Sequence, residues 1–160
     1  MGLDMYLYKK SYVQNWEHTS PEKKHTISIK KGGKVRKDIK PERICYITEQ
    51  IAYWRKFNAL HGWFIENCAG GVDECQDINV DEDKLKELLE TLKEVSSNFD
   101  KAEELLPPVQ GFFFGGDEID EYYKEDVNST IKIIEELLEE HEQSKEYGLY
   151  SGDFEYRASW

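Results

Sequence analysis

The stretch Tyr53-Trp54-Arg55-Lys56-Phe57-Asn58-Ala59-Leu60-His61-Gly62-Trp63-Phe64 decides how the middle of this chain is read. It lies inside a longer run that opens at Pro41-Glu42-Arg43 and reaches about Cys68, just before Gly70-Gly71. Proline suits a first helical turn, where its missing N–H has no intrahelical partner, and Glu42 complements the helix dipole. Paired glycines stop a helix. The expectation is therefore one long helix from Pro41 to about Cys68. At about 100° per residue, Ile47, Ile51, Trp54, Asn58, His61 and Ile65 fall on one stripe. Phe57, Leu60 and Phe64 widen it, while Arg55, Lys56 and Trp63 lie on the other side.

Asn58 and His61 then sit within an apolar face, close enough to touch. A buried polar side chain without a partner costs about 1–3 kcal/mol. Two arrangements avoid that cost. In one, both residues are satisfied core, bonded to backbone carbonyls or a nearby tyrosine. In the other, they floor a pocket in which His61 binds a ligand or moves a proton. Trp54 would be the stacking wall and Arg55 an anion contact at the rim. Tyr53, Trp54, Arg55, Asn58 and His61 form the candidate ligand-binding set. Aromatics interleaved with Arg and Lys also suit a nucleotide, since bases stack and phosphates pair with cations.

Outward from this stretch, Leu3-Asp4-Met5-Tyr6-Leu7-Tyr8 alternates like a strand, with Leu3, Met5 and Leu7 on one face. Two further alternating runs, Thr26–Lys30 and Val35–Ile39, flank Lys31-Gly32-Gly33-Lys34 and predict a hairpin. Leu85, Leu88, Leu89, Leu92 and Val95 predict a helix capped by Asp81 or Asp83. A short helix over about 98–106 ends at Pro107-Pro108. Gly111–Gly116 reads as a brief buried strand or tight connector. A second long helix spans about Glu118 to Lys145, its stripe running through Ile119, Tyr122, Tyr123, Val127, Thr130, Ile131, Ile134, Leu137, Leu138 and His141. Phe154-Glu155-Tyr156-Arg157-Ala158 predicts a final strand. The expected fold is α+β. A small antiparallel sheet of N-terminal strand, Gly-Gly hairpin and C-terminal strand packs on three to four helices, two of them long. The 160 residues suit one domain: a basic, strand-rich 1–40, an acidic, helical 41–146 and a closing strand or hairpin over 147–160.

The formal net charge is −12, and it is unevenly placed. Residues 1–45 hold eleven Lys/Arg against five Asp/Glu, and the remainder ten against 28. The chain is thus a basic segment joined to an acidic one, a pattern associated with polyanion partners. The total of −12 argues against direct nucleic-acid binding, because a repulsive long-range potential slows approach. Aromatic content of 13% excludes a disordered acidic tail. No run of about 18 apolar residues exists, so no membrane span is expected. The first residues lack the basic and apolar regions of a signal peptide, and Tyr6 stands where a myristoylation motif wants Ser or Thr. The expected location is the cytoplasm. Cys45, Cys68 and Cys75 are an odd set, which fits reduced thiols.

Asp117, Asp120 and Glu121 are spaced so that they could converge on a hard cation. Equally, Asp117 caps a helix whose first turn is acidic. Gly115-Gly116 is no phosphate loop, because no lysine follows. Asp77–Asp81 mimics the start of a calcium loop, but Glu82 and Leu88 occupy the positions of its invariant Gly and bidentate Glu, which excludes it. No cofactor is expected.

Several segments occur together in a recognisable order: Gly2-Leu3-Asp4-Met5-Tyr6-Leu7, the Ile27–Gly33 hairpin, the Tyr53–Phe64 stretch, Gly71-Val72-Asp73-x-Cys75, and Leu105-Leu106-Pro107 with Gly111-Phe112-Phe113-Phe114-Gly115. To about residue 140 the chain resembles a family of small uncharacterised bacteriophage and prophage proteins. The resemblance implies a phage accessory protein working in the host cytoplasm, and no catalytic residue carries over from it. The leading expectation is a non-catalytic protein that binds a host factor or sequesters a small nucleotide-like ligand. Three alternatives stand beside it: a metal-dependent hydrolase using Asp117, Asp120 and Glu121, a nucleic-acid-binding hairpin, and an acidic DNA mimic. A homodimer is compatible with all of them.

Overall fold

The computed structural model describes residues 2–149 and 152–160. The first strand, β1 (Asp4–Tyr12), forms as expected, and Leu3, Met5 and Leu7 are wholly buried on one side. The Gly-Gly hairpin also forms, from β2 (Lys30–Lys31) and β3 (Lys34–Val35), with Gly32 and Gly33 at positive φ. It is a separate two-stranded sheet, exposed throughout, and does not join the main one. Without a buried face, its alternating runs have nothing to pair with beyond the turn.

The long helix expected from Pro41 is not there. Pro41–Arg43 makes a single 3-10 turn, and Tyr46–Arg55 is a strand, β4, paired antiparallel with β1. Its Tyr, Ile, Thr and Trp residues are those a pleated surface favours. The misleading feature is a bulge. Leu7 pairs with Ala52 and Tyr8 with Gln50, so Ile51 is an extra residue. One inserted residue changes the strict period of two into spacings of three and four, which imitate a helix. Lys56 then takes a left-handed conformation (φ 58°) and turns the chain into α1 (Asn58–Cys68).

After α1 comes β5 (Ile78–Val80), a strand too short to announce itself, then α2 (Glu82–Ser97) and the short α3 (Ala102–Leu105). The region 41–146 is therefore not wholly helical. Gly111–Gly116 is no strand but a turn, in which Phe112 is 95% exposed and Phe114 buried. The second long helix, α4 (Glu121–Glu146), starts one turn later than expected, with Asp120 as its cap. Tyr122 leaves the expected stripe and is exposed, while Tyr123, Val127, Thr130, Ile134, Leu137 and His141 are buried. The closing strand, β6 (Asp153–Ser159), lies inside the sheet between β1 and β5, giving the order β4-β1-β6-β5.

The result is an α+β fold of a four-stranded antiparallel sheet with helices packed against one face, and a separate two-stranded hairpin. Phe154, Tyr156 and Ala158 of β6 join Leu3, Met5, Leu7, Ala52 and Trp54 in the core beneath the helices. Leu85, Leu88, Leu92 and Val95 are fully buried, and α2 packs along α4. Among the described residues no helix is long and apolar enough to cross a membrane.

Candidate functional site

Asn58 and His61 stay together on α1, but Trp54 leaves them because it belongs to β4. Its indole donates from Nε1 to the Thr130 hydroxyl at 2.9 Å, beneath α4. Tyr53 points to the opposite face of the sheet, where its hydroxyl donates to Asp4 at 2.6 Å. Arg55 is exposed and lines a different cleft, facing Glu118, Asp120 and Asp126. Burial, with the charges of Glu125 and Asp120, pushes the Asp126 carboxyl up to about 6. Tyr53, Trp54 and Arg55 thus lie in three places away from His61, and Asn58 lines the Arg55 cleft as well.

Asn58, 4% exposed, makes three hydrogen bonds. Its amide donates to the carbonyls of Phe114 (3.0 Å) and Gly116 (2.8 Å), and its Oδ1 accepts from the Val109 N–H (2.9 Å). It therefore clamps the 107–116 loop onto the start of α1. Gly62 completes the fit, since a Cβ there would lie 2.3 Å from a Val109 methyl.

His61 is 1% exposed and has a partner for each ring nitrogen. Nδ1 lies 2.7 Å from the Tyr156 hydroxyl and Nε2 2.8 Å from Asp73 Oδ2. Burial first, and then the charge of Asp73, pushes the Tyr156 phenol well above its ordinary value, so it stays protonated. The partners assign the tautomer: Tyr156 donates to Nδ1, and Nε2–H donates to the carboxylate. The second carboxylate oxygen of Asp73 accepts from Trp160 Nε1 at 3.3 Å. Asp73 is held from two sides and keeps 25% of its side chain exposed.

That exposed part faces a pocket of about 440 Å³ between α1 and the clamped loop. Its walls are apolar, from Trp63, Leu105, Leu106, Pro107, Val109 and Phe114. Its polar groups come from Asp73, His61, Glu66, Asn67 and Gln110, and neither Lys nor Arg lines it. The volume falls within the range of about 300–1,000 Å³ common to small-ligand sites. Trp63 flanks the Asn58–His61 stripe yet lines the pocket, and nothing local to Asp73 or Tyr156 marks them as partners of His61.

The acidic candidates do not converge. Asp117 accepts from Gln110 at 2.7 Å, Asp120 caps α4 by accepting from the Tyr123 N–H at 3.0 Å, and Glu121 pairs with Lys124 at 3.2 Å. Among the described residues no group of three or more His, Cys, Asp or Glu side chains could hold a metal ion. The three cysteines are unbridged, and burial pushes the Cys68 thiol up to about 11, away from a nucleophile's range.

No family model, curated protein or solved structure matches the chain. The reading of function therefore rests on this geometry.

Proposed function

We propose that the protein is a non-catalytic binder whose pocket beside α1 takes an apolar group carrying a positive charge. It would be either a small amine-bearing ligand or such a side chain on a host partner. The observation that carries this reading is the Asp73 carboxylate, oriented by His61 and Trp160 at the wall of an apolar pocket free of Lys and Arg. A preformed carboxylate in apolar surroundings attracts a cation more strongly than one in water. The same lining disfavours a phosphate, so a nucleotide-like ligand fits less well than the aromatics of the Tyr53–Phe64 stretch suggest. Both nitrogens of His61 are engaged and its partner Tyr156 is wholly buried, so the ring offers no free nitrogen to a group in the pocket. A phage accessory protein that captures a host factor in the cytoplasm is consistent with this chemistry.

The test is thermal melting against a panel of aromatic and aliphatic amines, with nucleotides alongside. A ligand at one hundred times its Kd stabilises by about 2.7 kcal/mol, a rise of roughly 5–10 °C for a chain of this size. The shift should vanish in Asp73→Asn. Shifts with nucleotides alone, or amine shifts that survive Asp73→Asn, would sink the reading.

A further inference from the structure

The sheet has a second face. Along β1, Leu3, Met5 and Leu7 turn towards the helices, so Tyr6, Tyr8 and Tyr12 turn away from them. On β4, Tyr53 lies directly across from Tyr6 and Tyr46 across from Tyr12, which places five tyrosines on the open side. The rings gather in two groups. Tyr53 and Tyr6 are 5.3 Å apart, and Tyr6 and Tyr8 are stacked at 5.9 Å with planes 9° apart. Tyr12 meets Tyr46 at 5.3 Å, and the Tyr12 hydroxyl accepts from the exposed Trp16. Tyr6 to Tyr12 spans about 20 Å of strand. Tyr53 and Tyr46 are about half exposed, at 47% and 54%.

Charge differs between the helices and the segment that leaves the sheet at the far end of β1. Helices α2 and α4 hold fourteen Asp/Glu against six Lys, and they cover the other face. From the Tyr12–Tyr46 end rises an arm, residues 14–44, closed at its root by the Val13 N–H bonding to the Cys45 carbonyl at 2.8 Å. The arm holds nine Lys/Arg against four Asp/Glu and carries the exposed β2–β3 hairpin. On the face itself, Arg157 sits across from Tyr6. The face's acids have partners: Asp4 accepts from Tyr53, Glu155 holds Lys10 at 3.2 Å, and Asp153 is also engaged. Asp77 approaches Arg157 at 3.6 Å. The two helices thus carry a net −8 and the arm a net +5, so the total of −12 does not describe this surface.

From this juxtaposition we infer that the open tyrosine face and the basic arm together bind single-stranded nucleic acid. Bases stack on the Tyr53–Tyr6–Tyr8 and Tyr12–Tyr46 groups, and lysines of the arm neutralise the backbone. Flat rings serve any base, because every base has a π-face, and a cationic path beside them follows the phosphates. A duplex offers no free base to the rings. An acidic protein segment would satisfy the arm but leave the tyrosines unused.

Fluorescence anisotropy of the full chain with labelled oligo-dT and oligo-U strands of about 12 nucleotides tests this, with a duplex of equal length and a polyglutamate peptide alongside. Both single strands should bind more tightly than the duplex and the peptide, and the tighter of the two identifies DNA or RNA as the source. The double variant Tyr46→Ala/Tyr53→Ala should weaken binding about tenfold or more, and Tyr46→Phe/Tyr53→Phe should restore it. Replacing Lys30, Lys31 and Lys34 with Gln should lower the slope of log affinity against log salt by about 2. Those lysines are exposed on a hairpin outside the core, so the fold is untouched. Absence of single-strand binding at low salt would overturn the inference. So would duplex binding of equal strength, insensitivity to both Tyr→Ala changes, or tighter capture of polyglutamate.

Discussion

The Tyr156 hydroxyl on β6 donates to Nδ1 of His61 on α1 across 2.7 Å, joining residues 95 positions apart in the sequence. The bond ties the closing strand to the helix that floors the pocket. It also sets which nitrogen of His61 faces Asp73. The Tyr156 ring stacks on Phe64 at 4.1 Å, so its packing and its hydrogen bond can be separated by mutation.

Tyr156→Phe keeps the stacked ring and removes the donor. His61 Nδ1 is then a buried acceptor without its partner, which costs about 1–3 kcal/mol. Chemical denaturation should show a lower midpoint with an unchanged slope. An unchanged midpoint would mean that the bond contributes nothing to stability.

Gly62→Ala tests the contact between α1 and the 107–116 loop. Elsewhere in a helix this change is favourable by up to about 1 kcal/mol. Here the new Cβ would lie 2.3 Å from a branched, stiff Val109 methyl. Overpacking of this kind costs about 1–3 kcal/mol, so net destabilisation is expected. Adding Val109→Ala should recover much of the loss, giving a coupling above about 0.5 kcal/mol in a double-mutant cycle.

What could be read locally follows from how far apart the interacting residues lie. Leu3, Met5 and Leu7 alternate without interruption, and Val127, Ile134 and Leu137 keep a helical spacing, so β1 and α4 were legible. The bulge at Ile51 hid β4, because one extra residue converts a strand's period into an imitation of a helix's. Three residues are too few for any period to mark β5. Asn58 and His61 stood out as polar residues in an apolar setting. Their partners did not, since Asp73, Val109, Phe114 and Tyr156 reach them through tertiary contacts that leave no local pattern. The division of charge was visible in the chain, but only the two-layer packing shows which face is acidic.

Asp126 gives a pH dependence of stability. Burial pushes its folded-state carboxyl up to about 6 from the ordinary 3.8. The fold thus favours the protonated form. Its contribution is fully present below about 3.8 and is lost as the pH rises through about 6. Asp126→Asn stays neutral throughout and escapes that loss. The variant should match the wild type below the lower value and melt higher at pH 7, the gap opening between pH 4 and 6. A gap that is constant with pH would show that the carboxyl is not perturbed.

Asn58 offers the most local test of how the pocket is held. Asn58→Ala removes the acceptor for the Val109 N–H and the donors to the Phe114 and Gly116 carbonyls in one step. All these loop contacts fall within 109–116, whereas β1 and β6 meet through their own ladder. The loop should therefore open while the sheet stays closed. Hydrogen exchange resolves the two: the Val109 amide should lose protection, and the amides of Met5 and Tyr156 should keep theirs. Asn58→Asp separates acceptor from donor. It still accepts from Val109 but sets a carboxylate against two carbonyl oxygens, a repulsion without a compensating donor. Val109 protection should fall less in the Asp variant than in the Ala variant, while the turn at Phe114–Gly116 loosens at least as much. Equal loss at Val109 in both would mean that the clamp works through its donors and not through Oδ1.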